Sequence, residues 1–386
     1  MGQETLLDDG VESLSSTGKN IRLLITGGGT GGHLFPAVAT AQQFQKQFPG
    51  TEVLFVGTRR KVDTGSLDRY GFNSESIRCY GLKGKNPVDL LKAIAVLPFS
   101  YYQALKIIKR FKPDILMGVG GYVTGPVVAA GKNLGIPVLI HEQNSVAGLA
   151  NRKLGRIANR ICLSLPGSGA QFPQKKITYT GNPVRANILE LASMTRVSKQ
   201  SNTTLLVLGG SQGARAVNTL VTKALSTLSE EMLSTMRVIH QTGDRDVDSV
   251  RATYLKIGVD AEVESFFTSM EKIYSKADLL VSRAGATTLS EIAVLGKPAI
   301  LIPYPYAADN HQEKNGEYYV AGGGALLYRE KEVIPKKLGR KIEKLLTDEG
   351  TRIKMGTAMQ KLAFPDAAEK IVTCCLEEME KRLGNE

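Results

Sequence analysis

The sequence predicts an α/β protein made of two Rossmann-like, doubly wound domains. Three observations carry that expectation. Short apolar runs alternate with helix-period segments along almost the whole chain, the pattern of parallel strands covered on both faces. The alternation pauses over residues 181–204 and then starts afresh. Each half also opens with the same device, an apolar run that stops at a glycine-rich corner and continues as a helix. In the first half Ile21 to Ile25 leads into Gly27-Gly28-Gly29-Thr30-Gly31-Gly32; in the second, Thr204 to Leu208 leads into Gly209-Gly210-Ser211-Gln212-Gly213.

Taken in order, a polar and partly acidic stretch, Met1 to Asn20, comes first. It lacks the basic head and apolar segment of a signal peptide and is expected to be an unstructured tail. After the first strand and a helix through Phe48 come strand-like runs at Glu52–Gly57, Ile115–Gly118, Ile136–Ile140 and Arg160–Leu163. Between them, Val88 to Lys109 mixes large apolar residues with Lys92, Lys106 and Lys109, and Pro98 is expected to kink or break it. Such a basic, aromatic-bearing stretch suits an anionic membrane surface, and equally a sheet-covering helix with solvated lysines. In the second half a helix from Arg215 to Leu228 follows the glycine corner, with strands at Val238–His240, Leu279–Val281 and Ala299–Ile302. A last helix, about Asp366 to Leu383, follows Phe364-Pro365. The domains expected are a tail over 1–20, a first domain over 21–184, a second over 185–364, and a terminal helix over 365–386 that packs back on the first.

At 386 residues the chain is long for one domain and comfortable for two. A net charge of +12 points to an anionic partner: nucleic acid, an acidic membrane or a phosphorylated substrate. Nucleic acid is disfavoured because the chain has no Trp and its basic residues are dispersed, not gathered in a stripe with aromatic platforms. Cys79, Cys162, Cys374 and Cys375 show no metal spacing and suit a reduced cytosolic protein. No apolar run reaches the roughly 18 residues of a spanning helix.

The chemistry starts at the first corner. Helix N-termini present unpaired N–H groups and the positive end of the dipole, and glycine lets backbone approach a ligand, so the corner suits a phosphate. Gly27-x-Gly29-x-x-Gly32 also satisfies the dinucleotide fingerprint, with Arg59-Arg60 where an acid would favour NAD; an NADP-type dehydrogenase fits that, but not the second corner. A Walker loop is excluded, because His33-Leu34 stand where Lys and Ser or Thr are required. His33, at the helix start, has its cationic form disfavoured by the dipole and is suited to accept a proton. Three more polar, glycine-bearing stretches follow strands: Gly118 to Pro126, His141 to Gly148, and Ser282 to Glu291. His33, His141, His240 and His311 all fall at expected strand ends, which points to a polar cleft between the two domains. Asp244-Arg245-Asp246 resembles a metal-binding Asp-x-Asp but is expected to cap a helix, so no metal is expected, nor any cofactor.

TGGGTGGHLFPA, GVGGYVTGP, HEQNSVAGLANR, GNPVR, LGGSQGA and SRAGATTLSE, in this order, resemble the MurG family of bacterial peptidoglycan N-acetylglucosaminyltransferases over roughly Asn20 to Leu383. The resemblance implies an inverting glycosyltransferase of GT-B architecture, its two domains facing across a cleft. It would move GlcNAc from UDP-GlcNAc to the 4-hydroxyl of MurNAc in lipid I, giving lipid II and UDP.

By the same resemblance, the donor belongs to the second domain. Glu291 would accept from the ribose hydroxyls, and Phe266 and Phe267 would grip uracil. Ser211 and Gln212 would face the diphosphate with Arg185 nearby, and Ala286, Gln312 and Asn144 would hold the GlcNAc, with Thr30 and Gly31 also on the donor side. The family commonly has Gln-Gln where this chain reads His311-Gln312, so His311 falls outside the pattern. The acceptor pyrophosphate would lie at Gly28, Gly29, Gly32, Gly120, Gly121 and Tyr122. The general base would be His33 or Glu142. A polyprenyl-linked acceptor stays in the bilayer, which favours Leu82–Arg110 as an anionic-membrane patch and implies a peripheral enzyme on the cytoplasmic face of the bacterial inner membrane.

Overall fold

A computed structural model describes residues 20–28, 31–58, 67–81, 86–194, 202–210 and 212–384. Gly29, Thr30, Arg59, Arg60, Lys83, Lys85, Ser211 and the first nineteen residues lie outside the described residues. The chain divides into two units, one reaching Val184 and resuming at Asp366, the other spanning Arg185–Pro365.

In the first unit, β1 (Arg22–Gly27), α1 (Gly31–Gln47), β2 (Glu52–Gly57), β3 (Asn73–Ser76) and α2 (Pro87–Phe111) come first. Then follow β4 (Ile115–Gly120), α3 (Thr124–Asn133), β5 (Val138–Glu142), α4 (Leu149–Leu154), β6 (Arg160–Leu163) and β7 (Ile177–Tyr179). Among the described residues the strands form a parallel sheet in the order β3-β2-β1-β4-β5-β6-β7. Side chains alternate between its faces. Leu23, Ile25, Phe55 and Met117 pack with Leu34, Val38 and Phe44 of α1. Leu24, Leu54, Leu116 and Ile140 pack with Ile107 and Ile108 of α2 and Val127 and Val128 of α3. The chain leaves β1 toward β2 and later returns to β4 on its other side. That places the crevice of a doubly wound sheet between the ends of β1 and β4.

The second unit repeats the scheme: α5 (Ala186–Ser193), β8 (Thr203–Leu208), α6 (Arg215–Leu225), α7 (Glu230–Ser234), β9 (Met236–Gln241), α8 (Val247–Lys256) and β10 (Asp260–Glu264). After these come α9 (Met270–Lys276), β11 (Leu279–Ser282), α10 (Ala286–Val294), β12 (Ala299–Leu301), α11 (His311–Ala321), β13 (Ala325–Leu327), α12 (Pro335–Thr347) and α13 (Glu349–Gln360). The described strands pair in parallel in the order β10-β9-β8-β11-β12-β13, with the crevice between β8 and β11.

The last helix, α14 (Ala367–Leu383), returns to the first unit. Ile371, Val372, Cys375, Leu376 and Met379 join the core beneath α1. Each of the Ile, Val, Leu and Met side chains contributes about 1.5–3 kcal/mol when fully buried. Arg160 of β6 fastens the same helix, with Nη2 at 2.6 Å from Glu377 and 3.0 Å from Glu378.

Several local expectations are corrected. Helix α2 runs unbroken through Pro98. The missing N–H would have served the carbonyl of Ile94, and both residues are exposed, so water can take that carbonyl. Asn86 starts α2 by accepting the N–H of Asp89 at 2.8 Å, with Pro87 in the first turn. Strand β5 runs on to Glu142, so His141 belongs to the strand and not to the loop after it. Helix α6 stops at Leu225. Strands β3, β7 and β10 carry no strong apolar run, and they and β13 lie at the sheet edges, where one side of the ladder is uncovered. No helix among the described residues is long and apolar enough to cross a membrane.

Candidate functional site

Each unit gathers polar groups at the carboxyl edge of its sheet. In the first, the corners after β1 and β4 touch. Gly121 has φ +88°, and a Cβ there would lie 2.9 Å from the carbonyl oxygen of Gly28. Only glycine permits that approach. A Cβ on Gly120 would come within 3.1 Å of His33 Cε1, so His33 stands directly over the bare second corner. Tyr122 is half-buried, and its carbonyl accepts from Cys79 Sγ at 3.4 Å. The pyrophosphate candidates Gly28, Gly32, Gly120, Gly121 and Tyr122, with Gly31, are therefore brought to the edges of β1 and β4; Gly29 and Thr30 fall outside the described residues.

The end of β5 completes this edge. Glu142 is buried, and its carboxylate accepts four hydrogen bonds. Oε1 takes the Asn144 N–H at 3.0 Å and Asn144 Nδ2 at 3.2 Å; Oε2 takes the Gly148 N–H at 3.0 Å and Asn151 Nδ2 at 2.9 Å. A carboxylate offers about four acceptor positions, so this one is engaged within its own loop. Glu142 shapes the 143–151 turn, and Asn144 is held by it.

His33 Nδ1 lies 2.9 Å from Gln143 Oε1. Gln143 Nε2 donates to Val119 O at 3.0 Å and lies 3.1 Å from His141 Nδ1. His141 Nε2 is in turn 3.0 Å from Ser164 Oγ and 3.3 Å from Gly181 O. Burial pushes the His141 imidazole down to about 4, so this ring stays neutral.

In the second unit, Gly213 (φ +75°) sits against the carbonyl of Thr242, where a Cβ would collide with backbone. The corner after β8 is thus pressed onto the end of β9. Gln241, which sequence reasoning missed, ties them: its Nε2 donates to Gly210 O at 3.0 Å and its Oε1 accepts the Phe267 N–H at 3.0 Å. Phe267 is buried, Phe266 is half-exposed, and Gln212 is exposed.

Arg185 and Glu291 are both buried and paired, with Arg185 Nε and Nη2 at 2.9 and 2.8 Å from Glu291 Oε1. Tyr274, also missed, donates its hydroxyl to Glu291 Oε2 at 3.0 Å. Burial and the neighbouring carboxylate push that phenol well up, so it stays a donor. Ala286 is the first residue of α10. Gln312 Oε1 accepts the Tyr304 N–H at 2.9 Å. Arg283, inside the Ser282 to Glu291 stretch but given no role of its own from sequence, fixes the same loop: Nη1 donates to Ile302 O and Pro303 O at 3.0 and 3.1 Å, and Nη2 pairs with Glu330 at 2.6 Å.

Two sequence expectations are corrected here. His240 belongs to the core and not to a cleft: Nδ1 is 2.8 Å from the Tyr254 hydroxyl and Nε2 3.0 Å from Asn218 Oδ1. Burial alone pushes it to about 3. Asp246 does stand at the start of α8, but its carboxylate accepts from Asn218 Nδ2 at 2.9 Å and makes no capping bond. His311 makes a local contact, Nδ1 to Ala308 O at 2.8 Å. Among the described residues no group of three or more His, Cys, Asp or Glu could hold a metal.

Two parallel sheets, each with a glycine-cornered polar edge, make this a protein of the two-Rossmann-domain class, and two family models place it among the glycosyltransferases. The glycosyltransferase family 28 N-terminal domain matches residues 23–163 and the family 28 C-terminal domain residues 204–371. The chain belongs to the MurG family within that group. It is 56% identical over 354 residues to the UDP-N-acetylglucosamine–N-acetylmuramyl-(pentapeptide) pyrophosphoryl-undecaprenol N-acetylglucosamine transferase of Desulfotalea psychrophila, covering 92% of this chain and 96% of the relative. The protein of the same name from Geobacter metallireducens is 42% identical, over 91% and 97% of the two chains. The crystal structure of Acinetobacter baumannii MurG superposes with a TM-score of 0.73 at 31% identity, covering 92% and 99%. A UDP-GlcNAc 2-epimerase from Neisseria meningitidis shares the fold alone, with a TM-score of 0.66 at 14% identity.

Proposed function

We infer that this protein transfers GlcNAc from UDP-GlcNAc to the 4-hydroxyl of MurNAc in lipid I, forming a β-1,4 bond in lipid II and releasing UDP. The observation that carries this is the 56% identity, over nearly the full length of both chains, to a transferase named for that reaction. The acceptor hydroxyl attacks the anomeric carbon from the face opposite UDP. The carbon–oxygen bond to the diphosphate breaks, the configuration inverts, and the hydroxyl proton passes to a general base.

His33 is that base, a role supported by its place over the Gly120 corner. Glu142 is the weaker alternative, because its acceptor positions are engaged by Asn144, Gly148 and Asn151. The first unit holds the acceptor, its pyrophosphate on backbone N–H groups of the two glycine corners. The second unit holds the donor. Glu291 turns its one remaining acceptor position to the ribose, Arg185 holds the carboxylate aimed, and Phe266 and Phe267 flank uracil. Ser211 and Gln212 take the diphosphate, Ala286, Gln312 and Asn144 are assigned to the GlcNAc, and Thr30 and Gly31 are assigned to the donor as well.

The enzyme works from the membrane surface, peripherally, on the cytoplasmic face of the inner membrane. Helix α2 supports this: Val88, Leu91, Phe99 and Tyr102 are each about half exposed or more and recur on one helical face, beside Lys92 and Lys106. Its opposite face buries Ala93, Ala104, Ile107 and Ile108. A helix with two apolar faces needs a second apolar neighbour.

Product analysis after incubation with UDP-GlcNAc and a short-chain lipid I analogue tests the assignment. UDP and a disaccharide-linked lipid are expected. An epimerised UDP-sugar with no UDP released would overturn it.

A further inference from the structure

We propose that Gln143 is a positioning residue that fixes His33 as the Nδ1–H tautomer and leaves Nε2 as the bare, proton-accepting nitrogen. This rests on the reading of His33 as general base, and it is carried by the direction of the hydrogen bonds around Gln143. The amide of Gln143 has one orientation open to it. With Nε2 toward Val119 O at 3.0 Å, a donor meets an acceptor. The flipped amide would set two oxygens against each other at that distance, in a site from which water is excluded. The second N–H of the same amide faces His141, at 3.1 Å from Nδ1 and 3.3 Å from the backbone carbonyl, and a nitrogen that can only donate leaves no room for a proton on that Nδ1.

His141 must therefore accept at Nδ1 and carry its proton on Nε2, where Ser164 Oγ at 3.0 Å and Gly181 O at 3.3 Å receive it. Ser164 passes its own hydroxyl proton to Gly181 O at 3.3 Å. Every member of this chain has its direction set by the next: Gly181 carbonyl, Ser164, His141, Gln143. What is left facing His33 is Gln143 Oε1, which can only accept. The His33 Nδ1 at 2.9 Å must then bear the hydrogen. The ring cannot turn its lone pair to Gln143 without opposing two acceptors. The two histidines thus hold opposite tautomers, His33 at Nδ1–H and His141 at Nε2–H. A neutral amide fills the place that a carboxylate takes in a Ser-His-Asp arrangement. It orients the ring through a single hydrogen bond.

Nitrogen-15 NMR of the full chain carrying labelled histidine reads this directly. Multiple-bond correlation spectra at about pH 8.5, two units above the ordinary imidazole value, separate protonated from bare ring nitrogens. The chain has four histidines, so His33→Gln and His141→Gln variants assign the signals. The expected result is Nδ1–H for His33 and Nε2–H for His141. In Gln143→Met the His33 signal should move toward Nε2–H. Turnover should then fall roughly 10-fold or more, with the KM for UDP-GlcNAc within about twofold. An Nε2–H signal for His33 in the unaltered protein overturns the proposal, as does an unchanged tautomer in Gln143→Met. His33→Ala separates the two levels. If it turns over normally while His33 shows Nδ1–H, the general-base reading fails and the tautomer assignment stands.

Discussion

Arg185 Nε and Nη2 both lie on Glu291 Oε1, at 2.9 and 2.8 Å, across 106 residues of sequence. The pair joins the first residue of the second unit to the middle of α10. It leaves Glu291 three of its four acceptor positions filled once Tyr274 is counted. A carboxylate held this way is pre-aimed, and it loses little freedom when one more donor arrives.

Glu291→Ala is expected to weaken UDP binding strongly and to destabilise the second unit by about 3–5 kcal/mol, because Arg185 is left buried and unpaired. Tyr274→Phe removes one hydrogen bond to a buried carboxylate, costs about 1.5–3 kcal/mol of stability and leaves UDP affinity less affected than Glu291→Ala does. Titration calorimetry with UDP, beside thermal melting, separates the two effects. Unaltered UDP affinity in a folded Glu291→Ala protein would sink the ribose role.

His33→Ala is expected to lower kcat by about 10²–10⁴ while UDP-GlcNAc affinity changes little. Glu142→Gln keeps the side chain's shape and one acceptor oxygen, but it turns a donor toward the N–H groups of its loop. It should cost folding stability first and turnover second. Parallel steady-state kinetics and melting curves check both; a His33→Ala enzyme of normal kcat would remove His33 from the reaction.

Membrane binding through α2 is expected to depend on charge and on the exposed apolar face. Replacing Lys92 and Lys106 by Glu should cost at least about 2 kcal/mol on anionic vesicles, roughly 30-fold in partitioning, and little on neutral ones. Leu91→Asp should weaken binding to both. Flotation of the variants with vesicles of each composition measures this. Equal flotation of the double Lys variant on anionic vesicles counts against the surface assignment.

Stability should fall as the solution is made acidic, through two buried histidines. His141 and His240 are pushed from 6.5 to about 4 and about 3 by burial. Below pH 6.5 the unfolded chain binds protons that the folded one refuses, so stability rises with pH between about 4 and 6.5. The slope is about 1.4 kcal/mol per pH unit for each ring. Stability from these groups is fully present above 6.5. His240→Gln should lower stability at pH 7 yet flatten the acid slope. Melting temperatures from pH 7.5 to 4.5 read both; an unchanged slope in His240→Gln contradicts the assignment.

The central strands were legible in the sequence because they are buried on both faces, as Leu23 to Ile25 and Leu205 to Leu208 show. Edge strands such as Asn73–Ser76 and Asp260–Glu264 were not, since polar residues suit a half-covered ladder as well as a loop. The residues that carry a family motif could be found by pattern. Those that steer them could not: Tyr274 reaches Glu291 and Gln143 reaches His33 only once the sheets are assembled. His240 misled for the same reason. It stands near a strand end in sequence, but its pairing with Tyr254 and Asn218 is a property of the packed core.

The most direct test of the central claim is the initial rate of UDP release from UDP-GlcNAc, measured with and without a lipid I analogue. Transfer to a bound sugar hydroxyl predicts release that rises with acceptor and saturates, matched one for one by GlcNAc-bearing lipid, with only slow hydrolysis in its absence. Release at the same rate without acceptor, or with no GlcNAc gained by the lipid, would contradict it.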